Sequence, residues 1–183
     1  MKLFSTLSFL SLLFIIAFSS FKPQPKNKVK HGIDEYDTLD YHTMVISGVK
    51  LGSNYGMILE KLGSPDSVEK EETPDARLSN QLEVYYYGKD LFFIMDDTTS
   101  GFELNSNHYK IDNLSDLKVG DNVTKVKKRF PNSYKLRDID NSVEDWITTI
   151  SVQFGTSDSF LEITVQNDKI TKLATVTDDG TEE

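Results

Sequence analysis

Three histidines, His31, His42 and His108, are the only imidazoles in this 183-residue chain for acid–base work or metal ligation. Two of them bracket HGIDEYDTLDYH, residues 31–42, with Asp34, Glu35, Asp37 and Asp40 between them. That set has enough oxygen and nitrogen donors for a divalent cation. No His-x3-His spacing enforces a geometry, however, so the segment reads as a solvated acidic arm. DLKVGDN (116–122) and DIDNSVED (138–145) space their carboxylates like calcium loops but lack the central Gly and closing Glu at the required positions.

Nucleophilic catalysis has no visible basis. The chain contains no cysteine and no G-x-S-x-G, and its serines have no recognisable base beside them. Paired carboxylates at Asp96-Asp97 and Glu144-Asp145 would act as acid and base only if burial split their pKa values. Asp96-Asp97-Thr98-Thr99-Ser100-Gly101 reads more simply as a hairpin turn. No glycine-rich phosphate loop is present. The expectation is a chain that is not an enzyme, with no catalytic residues, no metal site and no cofactor.

The elements that would position any site are announced by VKLGSNYGMILEKLGSPD, residues 49–66. Gly52 makes a turn, Ser53 is placed to cap a helix, and Tyr55, Ile58, Leu59 and Leu62 form an apolar stripe. Gly63 and Pro65 then stop it. LKVGDNVTKVKKRFPNS, residues 117–133, repeats the plan: Gly120, Asp121 as cap, a Val123–Val126–Phe130 stripe, and Pro131 as the stop. Cations at Lys127, Lys128 and Arg129 suit the negative end of a helix dipole.

The parallel extends into the strands. LEVYYYG (82–88) is answered by ISVQFG (150–155), and DLFFIMDD (90–97) by SFLEITVQND (159–168). In the last of these Leu161, Ile163 and Val165 share one face. The fold class expected is therefore α+β: two tandem repeats, each a short helix or helical hairpin packed on an antiparallel sheet of three or four strands. The boundaries are 1–20 for a signal peptide, 21–43 for a flexible arm, 44–112 and 113–178 for the two repeats, and 179–183 for an acidic tail.

A Gly-bounded turn, a short helix, LG-x-P and an antiparallel hairpin together resemble the repeat of the β-lactamase inhibitor protein family. The same unit is similar to the single domain of outer-membrane assembly lipoproteins of the BamE/SmpA type. Gly52 through Pro65 carry the resemblance, and Val119 through Pro131 less cleanly. It implies an α+β fold, no cofactor, no catalysis and a function exerted by protein–protein contact. The missing cysteines depart from both groups, removing the lipid anchor of one and the disulfides of the other.

The N-terminus supports export. Lys2 precedes an apolar run to Phe18, and Ala17-Phe18-Ser19 offers a small-residue cleavage pattern, although an uncleaved anchor is the alternative. The expected location is periplasmic or extracellular, with no membrane span once the signal is removed. A formal charge of −9 argues against a nucleic-acid partner, which requires clustered cations.

The expected partner is another protein, met through an exposed sheet surface. Tyr85 and Tyr87 share a strand face opposite Leu82, Val84 and Tyr86; if the Leu/Val face lies under the helix, the two tyrosines project outward as contacts. Burial of both against the other repeat is the competing expectation. Trp146 is a second candidate contact or a core residue. The function expected is a non-catalytic, inhibitor-like binding module. A cell-envelope assembly or structural accessory is the alternative, followed by a small-ligand binder or an enzyme.

Overall fold

The structure is a computed structural model that describes residues 36–71, 82–140, 142 and 146–177. The expected signal peptide, most of the arm, the acidic tail, and His31, Asp34, Glu35, Glu144 and Asp145 lie outside the described residues.

The chain begins with strand β1 (Thr38–Leu39), a 3-10 turn at Tyr41–Thr43, and a small hairpin of β2 (Val45–Ile46) and β3 (Val49–Lys50). Helix α1 (Gly56–Leu62) leads to β4 (Ser67–Glu71), β5 (Leu82–Tyr87), β6 (Asp90–Met95) and β7 (Thr98–Leu104). A second 3-10 turn at Asp112–Leu114 precedes helices α2 (Thr124–Arg129) and α3 (Pro131–Lys135). Strands β8 (Asp138–Asp140), β9 (Ile147–Phe154), β10 (Ser159–Gln166) and β11 (Lys169–Thr177) complete the chain.

The expectation of two helix-on-sheet repeats is overturned. One nine-stranded sheet runs β1-β9-β10-β11-β7-β6-β5-β4, with β8 also paired to β9. Its centre is the β7–β11 contact, where Leu104 meets Leu173 and Glu103 meets Ala174. Two separate sheets would have left both of these strands as open edges with unpaired N–H and C=O groups; joining them removes that liability. The sheet is mixed, because β1 runs parallel to β9 while the other pairs are antiparallel.

The helices are also too small to cover a sheet. They have seven, six and five residues, and each buries a single residue: Ile58, Val126 and Ser133 respectively. Much of the cover comes instead from irregular chain: Met44, Ile46, Val49 and Leu51 around the β2–β3 hairpin, and Ile111, Leu114 and Leu117 after β7. These join Phe92, Phe102, Ile150, Leu161, Ile163 and Leu173 in one continuous core. The protein is thus β-rich, and residues 44–112 and 113–178 belong to one compact unit.

Matching local turns survive inside that single sheet. Gly52 and Gly120, at φ +79° and +89°, donate their N–H groups to Thr99 O and Ile170 O, each at 2.8 Å. Tyr55 N donates to Asp97 O and Val123 N to Asp168 O, each carbonyl lying in a tight turn of positive φ. The caps sit one residue later than expected. Asn54 Oδ1 accepts from Gly56 N and Asn122 Oδ1 from Thr124 N, both at 2.9 Å. Ser53 instead donates to Lys50 O, and Asp121 accepts from Lys118 N.

Part of the expected arm is folded. Gln153 N donates to Asp37 O and Gly155 N to Leu39 O, tying β1 to the sheet edge. The Asp37 carboxylate accepts from Asn132 N at 2.8 Å and Ser133 N at 2.9 Å. Helix α3 starts at Pro131 after Phe130, which has no side-chain acceptor, so Asp37 supplies the missing cap from 95 residues away.

Candidate functional site

Tyr85 and Tyr87 are on the covered face of the sheet. They retain 7% and 9% exposure, and both belong to the core. The Tyr85 ring meets Tyr55 at the start of α1, with centroids 6.4 Å apart. Tyr87 donates its hydroxyl to Gly63 O at the end of α1, at 2.8 Å, and its ring edge meets Phe92 and Tyr109. Burial, then the neighbouring Tyr109, pushes the Tyr87 hydroxyl up to about 12, and burial raises Tyr85 as well. The expected assignment of these tyrosines as outward partner contacts is corrected: α1 packs on their side, not on the Leu82/Val84 side.

Trp146 is 63% exposed and immediately precedes β9. Strand order places β9 five spacings from β5, roughly 24 Å at the usual strand separation. The structure therefore does not bring Trp146 together with Tyr85 and Tyr87.

The opposite face carries a different set. Register pairs Leu82 with Met95, Val84 with Phe93, and Tyr86 with Leu91 across β5 and β6. These six alternate with the buried Tyr85, Tyr87, Phe92 and Ile94, so they point the other way. Val84 is buried at the centre, Leu82, Tyr86, Leu91 and Phe93 are half-buried, and Met95 is 38% exposed. Two buried apolar residues, Val84 and Ala174, stand outside the main core, and both lie on this second face.

Carboxylates frame the apolar rows. Glu69, opposite Val84 in register, accepts from the Tyr86 hydroxyl at 2.7 Å. Glu103 lies opposite Leu91, and Glu162 opposite Ala174. Further along the face the content is mixed: Thr149, Ser151 and Gln153 on β9 and Thr164 and Gln166 on β10 lie among Ile147, Phe160 and Val176. Sequence reasoning missed Leu91, Phe93 and Met95. The available signal was DLFFIM itself, a strand apolar on both faces.

One described cluster contains catalytic residue types. The buried Asp90 carboxylate accepts from Asn105 N, Ser106 N and the Ser106 hydroxyl, and that hydroxyl lies 3.1 Å from His108 Nδ1. Here serine sits between carboxylate and imidazole, whereas activation of a serine requires the imidazole in the middle. The arrangement anchors the loop after β7. Among the described residues no group of three or more His, Asp or Glu converges as a metal site. No described helix is long and apolar enough to cross a membrane.

No protein-family model matches this chain, and no curated protein matches it. Solved structures give two partial likenesses. An extracellular protein containing an SCP domain, from Bacillus anthracis str. Ames, is 12% identical with a TM-score of 0.40, over 71% of this chain and 45% of that one. This chain thus spans under half the length of that protein. A "putative beta-lactamase inhibitor protein" from Streptococcus mutans is 10% identical with a TM-score of 0.27, over 68% and 83% of the two chains. Likeness at that level supports no conclusion about function here, and nothing supports the resemblance to outer-membrane assembly lipoproteins.

Proposed function

We propose that this chain is an exported, non-catalytic binding module that engages another protein through the β5–β6 face carrying Leu91 and Phe93. The observation that carries this reading is the set of cross-strand pairs Leu82–Met95, Val84–Phe93 and Tyr86–Leu91 on a face outside the core. Soluble chains keep contiguous apolar surface small unless something binds there. The framing by Glu69 and Glu103 favours a partner surface with an apolar centre and a cationic rim, because complementary charge steers docking and excludes wrong partners. Inhibition of an enzyme is one mode such a module would use. Export rests on the character of residues 1–20, and the non-catalytic reading on the sequence, which has no cysteine, G-x-S-x-G or glycine-rich phosphate loop.

A photo-crosslinking amino acid at position 93, in the full chain expressed in its native cell, tests the reading. The expected result is a discrete crosslinked protein that disappears when Leu91→Asp is added. The same probe at Thr164, on the β10 part of the face, should give no product. Equal labelling from both positions, or none from position 93, would overturn the proposal.

A further inference from the structure

The molecule carries a second surface of opposite chemistry, independent of the sheet face. Residues 118–137 contain seven cations and one carboxylate, Asp121, a net of +6 in a chain of −9, so the remainder carries −15. Helix α2 explains how these cations are displayed. Val123, Val126 and Phe130 turn inward and are buried, which leaves the Lys and Arg positions between them on the outside.

That outer side borders a cleft of about 490 Å3 between α2 and the turn after Leu114. Leu114, Leu117, Val126 and Phe130 line its floor, with Lys125, Lys128 and Arg129 at its rim. The three cations are not equally engaged. Lys125 pairs with Asp121 at 2.9 Å, and Arg129 donates to Asn113 O at 3.4 Å. Lys128 has no ion pair or hydrogen bond among the described residues. The nearby Asp116 is taken by Lys110 at 2.9 Å, so it does not neutralise the rim.

The surroundings select among anionic partners. Insertion into a lipid surface needs exposed apolar side chains beside the cations, but the four floor residues are each at most 3% exposed. Single-stranded nucleic acid needs open aromatic faces, yet Tyr134 already has Lys127 and Arg137 over its ring, at 5.2 and 4.4 Å. An extended peptide with several carboxylates needs neither feature. We propose that the α2 cleft docks an acidic segment of a partner protein, its carboxylates meeting Lys125, Lys128 and Arg129.

Fluorescence anisotropy with the full chain tests this directly. The probe is a fluorescein-labelled peptide of six glutamates. Phosphatidylglycerol vesicles and an oligo-dT strand serve as competing anions. Saturable peptide binding is expected, weakening as salt is raised. Lys128→Glu with Arg129→Glu should weaken it by about tenfold or more, while Phe93→Asp should leave it unchanged. The last arm separates failure of this site from failure of the sheet-face reading. Lys128→Gln with Arg129→Gln, checked by thermal melt, decides the matter if charge reversal disturbs folding. No saturable peptide binding, binding indifferent to both double variants, or tighter binding of the vesicles or the oligonucleotide would overturn the proposal.

Discussion

Strands β5 and β6 present two apolar faces separated by the thickness of one sheet. On one side Tyr85, Tyr87, Phe92 and Ile94 belong to the core, with Tyr55 against Tyr85 and Tyr109 against Tyr87 and Phe92. On the other, Val84, Tyr86, Leu91 and Phe93 pair with Phe93, Leu91, Tyr86 and Val84 across the two strands, beside Glu69 and Glu103. The residue types are nearly interchangeable, so composition does not explain why one face became core. The cover does. Gly63 O receives the Tyr87 hydroxyl and Tyr55 packs against Tyr85, so α1 is fixed over the tyrosine side at both of its ends.

The largest expected difference between the faces lies in adjacent residues of β6. Phe92 is fully buried, and Phe92→Ala should cost about 3–5 kcal/mol, close to the whole stability of a domain. Phe93 is only half-buried, and Phe93→Ala should cost about 1 kcal/mol. Urea midpoints on the two variants make the comparison. Equal losses would mean that both faces are core, and the contrast drawn above would collapse.

A smaller effect should appear at alkaline pH. The folded-state pKa of Tyr87 is raised from 10 to about 12 by burial first, then by Tyr109 and Tyr85. A raised folded pKa favours the neutral phenol in the native state. Its contribution to stability is therefore complete below pH 10 and is lost as pH climbs from 10 towards 12. Absorbance at 295 nm should show a late-titrating tyrosine that Tyr87→Phe removes. The same variant should cost about 1 kcal/mol at neutral pH, through the lost bond to Gly63 O. Titration of Tyr87 near the ordinary phenol value would show that its face is open.

The sequence made some of this legible and hid the rest for identifiable reasons. Turn chemistry is local, so the Gly52 and Gly120 turns and the Asn167-Asp168 hairpin could be read from a few residues each. Alternation in FLEITVQ named Leu161, Ile163 and Val165, all buried, because their neighbours are polar. In LEVYYYG and DLFFIM both faces are apolar, and the period-2 pattern contains no information about which one α1 covers. Long-range pairing was equally hidden. Nothing near Leu104 or Leu173 indicates that β7 and β11 join the two halves into one sheet. Nor does anything near Asp37 reveal that it caps a helix beginning at Pro131. Lys127, Lys128 and Arg129 are visible in the sequence as helix-dipole chemistry, but the cleft beside them depends on Leu114 and Leu117 arriving from the preceding turn.

The smallest effect gives the finest test of the cover argument. Asn54 and Asn122 cap α1 and α2 through the same bond, side-chain oxygen to the N–H two residues on. Replacing either by Ala should cost about 1 kcal/mol, because each change leaves one helix-terminal N–H without its acceptor. Their consequences should then diverge. Asn54→Ala loosens the helix that lies over Tyr85 and Tyr87, so it should lower the titration midpoint of Tyr87 towards 10. Asn122→Ala loosens a helix that makes no described contact with β5, and should leave that midpoint where it is. Paired urea and 295 nm titrations read both quantities from the same samples. Identical tyrosine shifts in the two variants would mean that global loosening, not α1, controls access to that face.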